Sequence, residues 1–139
     1  MHAEHRTGAD RKKERLKALL HLAEQDTEAV KLLAAHDNHY ARYHCQQAAE
    51  KLIRVLLIHH NIEPGLDHHL DILVAKLPES EPWKVRLAPL HKYTPYATTY
   101  RYAASSGRVP TSPDAGDVAS DATHISELIA DARRQFAGV

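Results

Sequence analysis

From Tyr40 to His60 the chain reads YARYHCQQAAEKLIRVLLIHH, and this stretch decides the fold. Ala41, Cys45, Ala48, Ala49, Leu52, Val55 and Leu56 recur at spacings of three and four, so at 100° per residue they line one side of a helix. No proline or glycine interrupts the run. On the N-terminal side, His36, Asp37 and Asn38 favour a turn. Before them, Arg11 to Ala35 places Leu16, Leu19, Leu20, Ala23, Thr27, Val30, Leu33 and Ala34 on one face of a second long helix. The two segments form a helical hairpin. Thr7 and Asp10 stand at capping-box spacing, but Arg11, Lys12 and Lys13 oppose the helix dipole, so the first turn is expected to fray.

On the C-terminal side, Pro64 and Gly65 break the pattern between Asn61 and Leu66. Asp67 then caps a third helix to about Leu77, with Leu70, Leu73, Val74 and Leu77 inward. After a connector from Pro78 to Pro82, a fourth helix carries Trp83, Leu87, Leu90, Thr94, Ala97 and Arg101 on one seam. Pro89 and Pro95 divide it, the second piece running from about Pro89 to Tyr102. Ala103 to Gly116 is rich in Ser, Gly and Pro and reads as a mobile, functional loop. Val118, Ala122, Ile125, Ile129, Ala132 and Phe136 then repeat at alternating spacings of four and three, the seam of a fifth helix. Nothing reads as a strand. The expectation is an all-α protein, an up-and-down antiparallel bundle of four to five helices in one domain over 10–139, preceded by a flexible tail over 1–9.

A chain of 139 residues buries roughly two-thirds of its unfolded surface on folding, enough for a core without disulfide or metal. Lys plus Arg and Asp plus Glu are 18 each, so the molecule as a whole does not attract nucleic acid or anionic membrane, and any polyanion site must be local. One cysteine, Cys45, excludes an internal disulfide. With no apolar leader and no run of transmembrane length, a cytoplasmic protein that does not engage membranes is expected.

Two polar residues fall where apolar ones belong. Asp26 lies within the apolar arc of the first helix, and a buried unpaired charge would cost several kcal/mol. Counted back from the hairpin turn, its partners across the turn are Gln47 and Lys51. Arg101 sits on the seam of the fourth helix, at the end where Glu50 and Arg54 project. Tyr43, Gln47, Glu50, Lys51 and Arg54 share the side of the second helix opposite its apolar arc, a hydrophilic ridge with donors suited to phosphate, or simply a solvated face with i, i+4 pairs.

Leu22-Ala23-Glu24-Gln25-Asp26, Leu32-Leu33, Cys45-Gln46-Gln47-Ala48-Ala49-Glu50-Lys51 with Arg54, His68-His69-Leu70 after a Pro-Gly turn, and Tyr100-Arg101-Tyr102 together resemble the HEPN domain family. The resemblance implies an up-and-down bundle of four to five helices and one of two activities. Many members are metal-independent ribonucleases in which an arginine, followed closely by a histidine, works across a dimer. Others bind nucleotides, or pair with a small nucleotidyltransferase as a two-component toxin–antitoxin module. This sequence departs from the ribonuclease pattern. Tyr102, Ala103, Ala104, Ser105, Ser106 and Gly107 follow Arg101, and a lone arginine holds phosphate but cannot exchange protons near neutral pH. Arg54 and His59 match the spacing literally, yet five positions along a helix leave their side chains about 140° apart.

The reading is therefore a HEPN-type protein that binds a nucleotide or RNA, or a nucleotidyltransferase partner, with Arg101, Tyr102, Lys51, Arg54, Glu50, Gln47 and His68 as candidate binding residues, Asp26 as a structural polar residue, and no catalytic residue. A dimeric endoribonuclease and a non-catalytic helical adaptor are the alternatives. The extra apolar seam of the fifth helix leads to an expected homodimer. Twelve histidines offer no spacing of a metal site, so neither metal nor cofactor is expected. His68, at the start of the third helix, is expected either to cap it or to reach the ridge of the second. Cys45 reads as a core residue, and Trp83 and Phe136 as core anchors. The six tyrosines suit base stacking and bundle surfaces equally.

Overall fold

The computed structural model describes residues 7–94 and 115–138. Among them the chain is helical and contains no strand: α1 Gly8–Ala35, α2 Tyr40–His59, α3 Leu70–Ala75, α4 Trp83–Leu87 continuing into a 3-10 turn over Ala88–Tyr93, and α5 Ala115–Phe136. None is long and apolar enough to cross a membrane.

The first helix starts at Gly8, three residues before the expected start at Arg11, because its capping box is complete. The Asp10 N–H donates to Thr7 Oγ1 at 3.0 Å and the Thr7 N–H to Asp10 Oδ2 at 3.2 Å. These bonds hold the Asp10 carboxyl below its ordinary range, so a negative charge stays at the positive end of the helix dipole and offsets the basic residues behind it. Both long helices of the hairpin stop in the same way. Asp37 (φ 53°) and Asn61 (φ 60°) adopt the left-handed conformation, and the next N–H turns back, Asn38 to the Leu33 carbonyl and Ile62 to the Leu57 carbonyl, each at 2.9 Å. This Schellman closure uses Asp and Asn because their short polar side chains tolerate positive φ.

Cross-links between α1 and α2 run in opposite senses, Lys12 to the His59 carbonyl, Asp26 to Lys51 and His44, so the pair is antiparallel. The terminal α5 lies against both. Arg133 meets Glu24 of α1 at 2.9 Å, and Phe136 stacks near His59 at the end of α2. The seam of α5 (Val118, Ala122, Ile125, Ile129, Ala132) is wholly buried inside this packing. It is core, and is not left over for a second chain.

The second helix is the central element, with α1, α3, α5 and the 3-10 turn all packed on it. Leu52, Ile53, Val55, Leu56 and Leu57 are buried on successive faces, a pattern expected of a helix covered on most sides. The third helix is shorter than its apolar stripe. The Asp67 carboxylate accepts the His69 N–H at 2.9 Å in a local turn, so the helix opens at Leu70 rather than at Asp67. The fourth is shorter still: Pro89 lies in the first turn of the 3-10 segment, lacking the N–H an α-helix would need there. Its expected continuation to Tyr102, with Arg101, lies outside the described residues, as does most of the loop expected from Ala103. Trp83 is buried at 2% exposure and donates its indole N–H to Gln135 Oε1 at 2.9 Å, whereas Phe136 is only half-buried at the rim of the core.

Candidate functional site

Two carboxylates organise the polar side of α2. Asp26 is the one the apolar arc of α1 could not explain. Its Oδ2 accepts from Lys51 Nζ at 2.5 Å and its Oδ1 meets His44 Nδ1 at 3.0 Å. Lys51 is the partner expected from the hairpin register. Gln47 is not, since its amide donates to Gln46 Oε1 at 2.7 Å, along α2 instead of across to α1. His44 takes the second place. It is seven residues before Lys51, two turns back on the same face.

The second carboxylate, Glu50, was expected on an outward ridge and is instead 7% exposed. The ridge fails as a solvated face because α2 is central and the loop after it folds back over this side. Burial of a carboxylate demands partners, and Glu50 has three. Gln46 Nε2 donates to Oε1 at 3.2 Å, His68 Nδ1 lies 2.7 Å from the same oxygen, and Arg54 Nε lies 3.5 Å from Oε2. The pairing of His68 with the ridge is thus present in the fold.

Arg54 extends the cluster into the loop. Nη1 donates to the Gly65 carbonyl at 2.8 Å and Nη2 to the Asp67 carbonyl at 2.9 Å. A planar guanidinium presents its donors in a fixed fork, so these bonds pin the backbone on both sides of Leu66. Gly65 has φ +75°, a conformation that disfavours any other residue. Just past the loop, the Leu70 N–H at the opening of α3 donates to Thr94 Oγ1 at 3.1 Å, which brings the end of the 3-10 turn beside the cluster. Arg101 and Tyr102, the two remaining binding candidates, lie outside the described residues.

Arg54 and His59, matched by spacing alone, go to different places. Arg54 holds the loop, while the His59 ring packs 4.5 Å from Phe136 of α5. Burial, then His60 and Lys12 beside it, lower the His59 pKa below its ordinary value. Cys45 is buried, and desolvation, with Asp121 adding to it, pushes its thiol up to about 12. It is a core residue without nucleophilic character at neutral pH. No group of three or more potential metal ligands exists among the described residues.

The pattern and order of these residues correspond to a known family model. The HEPN domain model matches residues 16–133, most of the chain. The chain belongs to the HEPN domain family. Neither a curated protein nor a solved structure matches it. The HEPN assignment agrees with the helical bundle and supports a nucleotide- or RNA-related role in general terms.

Two partnerships escaped sequence reasoning: Gln46 stood in the family motif without being read as a partner of Glu50, and His44 was not read as a partner of Asp26. The signal for Gln46 was its i, i+4 relation to Glu50. That for His44 was its i, i+7 relation to Lys51.

Proposed function

We propose that this HEPN chain binds a nucleotide, or a small nucleotidyltransferase-type partner that handles one, as half of a two-component toxin–antitoxin-type module in the cytoplasm. The proposed site comprises Gln47, Glu50, Lys51 and Arg54 of α2, His68 at the mouth of α3, and Arg101 with Tyr102. One observation carries this reading. The Glu50 cluster is buried and fully partnered on its inner side, yet it ends in a histidine ring that is 64% exposed. The Leu70 to Thr94 bond also brings the end of the 3-10 turn within two residues of that ring. A purely structural ion pair needs no exposed end. A homodimer is part of the proposal.

The test is titration of the purified protein with ATP and GTP by calorimetry, beside mass analysis of material co-purified from its native cell. Saturable binding that weakens at least tenfold in Arg101→Ala supports the site. A protein indifferent to both nucleotides and recovered without a partner removes it.

A further inference from the structure

From the geometry around His68 we infer that this ring reads a ribose hydroxyl, and that Glu50 and Arg54 act behind it as positioning residues. The inference rests on the nucleotide-binding reading and adds the atom of contact and the group it selects.

An ionised carboxylate can only accept hydrogen bonds. Glu50 Oε1, 2.7 Å from His68 Nδ1, therefore takes the Nδ1 proton, and a neutral imidazole so held carries its lone pair on Nε2. Which nitrogen is left open is thus decided by the second bond, as in histidines backed by a carboxylate elsewhere. The His68 side chain is 64% exposed, whereas the side chain of Glu50 behind it is 9% exposed. No described residue partners Nε2.

The supporting structure is rigid. Gln46 and Arg54 fix the Glu50 carboxylate from α2. Arg54 also fixes the Gly65 and Asp67 carbonyls, so the backbone that carries the ring is tied to the residue that orients it. The charged groups facing His68 are Glu50 and Arg54 from α2 and Asp67 and His69 from its own segment. Lys76, just past the end of α3, donates to the Pro64 carbonyl. Asp67 is held below its ordinary carboxyl range by the His69 N–H and ring, so it stays turned to His69.

An acceptor on a fixed ring selects a ligand group that donates. In a nucleotide or an RNA strand the sugar hydroxyls present the same donor whatever the base, base N–H donors change position from one base to the next, and a phosphate oxygen does not donate. A site that hydrogen-bonds a ligand hydroxyl discriminates against the analogue lacking it, and only modestly where, as at a half-exposed ring, water can take the place of the lost partner.

The experiment measures Kd for ATP and for 2′,3′-dideoxy-ATP, and for a short single-stranded RNA and the DNA of the same sequence. Wild type and His68→Phe, which keeps a flat ring without an acceptor, are compared. Wild type is expected to favour the hydroxyl-bearing partner of each pair by about tenfold near pH 7.5, and His68→Phe to bind both alike. The nucleotide pair and the polymer pair together separate a free ribonucleotide from an RNA strand as the source of the hydroxyl. Equal affinity in wild type, or discrimination that survives in His68→Phe, overturns the inference while leaving nucleotide binding intact. Failure of wild type to bind any of the four removes the underlying reading as well. If His68→Phe does not fold, the ring of wild type is read by nitrogen NMR: a proton on Nδ1 of His68 supports the assignment, and one on Nε2 refutes it.

Discussion

Cys45 and Asp26 show how far a single residue's surroundings determine its chemistry. A thiol pushed up to about 12 by burial is protonated at any physiological pH. It should not react with a disulfide reagent such as DTNB at about pH 8 until the protein unfolds. Stoichiometric reaction within minutes in native buffer would place Cys45 outside the core. Asp26 joins α1 to α2 through Lys51 and His44 with only 13% of its side chain exposed. Asp26→Ala strands the lysine in partial burial, and the expected loss is roughly 1–3 kcal/mol, read from urea midpoints. A double substitution with Lys51→Met should recover most of it, since an apolar pair replaces a buried charge at little cost. That Asp26 needed a partner was visible in the sequence, as was Lys51 as that partner. That His44 would outcompete Gln47 was not, because side-chain choice among neighbours on one helix face depends on rotamers the spacing does not contain.

At the scale of elements, the long helices were legible because each buries a continuous apolar stripe. The short ones were not. A stripe from Leu70 to Leu77 is buried at four positions, yet only Leu70–Ala75 is helix, because Asp67 bonds locally and the chain closes in turns through Lys76 and Leu77. Burial and helicity part company in such connectors. The connection from α2 to α4 depends on Glu81, which is 8% exposed. Its Oε2 accepts the Trp83 N–H at 3.0 Å and its Oε1 meets His60 at 2.9 Å. Burial works to raise its pKa, but the Trp83 N–H and His60 outweigh burial and the net shift is downward from 4.5. A carboxyl whose pKa is lower in the folded state binds fewer protons there. Its contribution is complete above about pH 4.5 and is lost as pH falls through the folded value. Glu81→Gln should therefore reduce stability at neutral pH and flatten its decline below about pH 5. An unchanged acid slope in urea titrations would show that the carboxylate carries no linkage. The candidate site was partly legible for the same reason as the helices: Glu50, Arg54 and His68 could be named from the motif, but their inward-facing arrangement could not, since it follows from a loop folding back over α2.

For the whole molecule, the α5 seam that suggested a second chain is consumed within the fold, so the proposed homodimer must use other surface. Leu22 and Leu32 of α1, at 45% and 67% exposure, remain outside the core. A dimer predicts a mass near twice 15.6 kDa by light scattering at micromolar concentration. A mass that stays at the single-chain value as concentration rises would exclude it. The order of packing has another consequence. The first helix packs against α5 as well as α2, and α5 ends about a hundred positions later in the chain. At ordinary rates of translation that interval lasts roughly 5–20 s. For that time the nascent hairpin presents oily surface next to the ribosome, and the growing polypeptide becomes a natural client for chaperones until its last helix emerges.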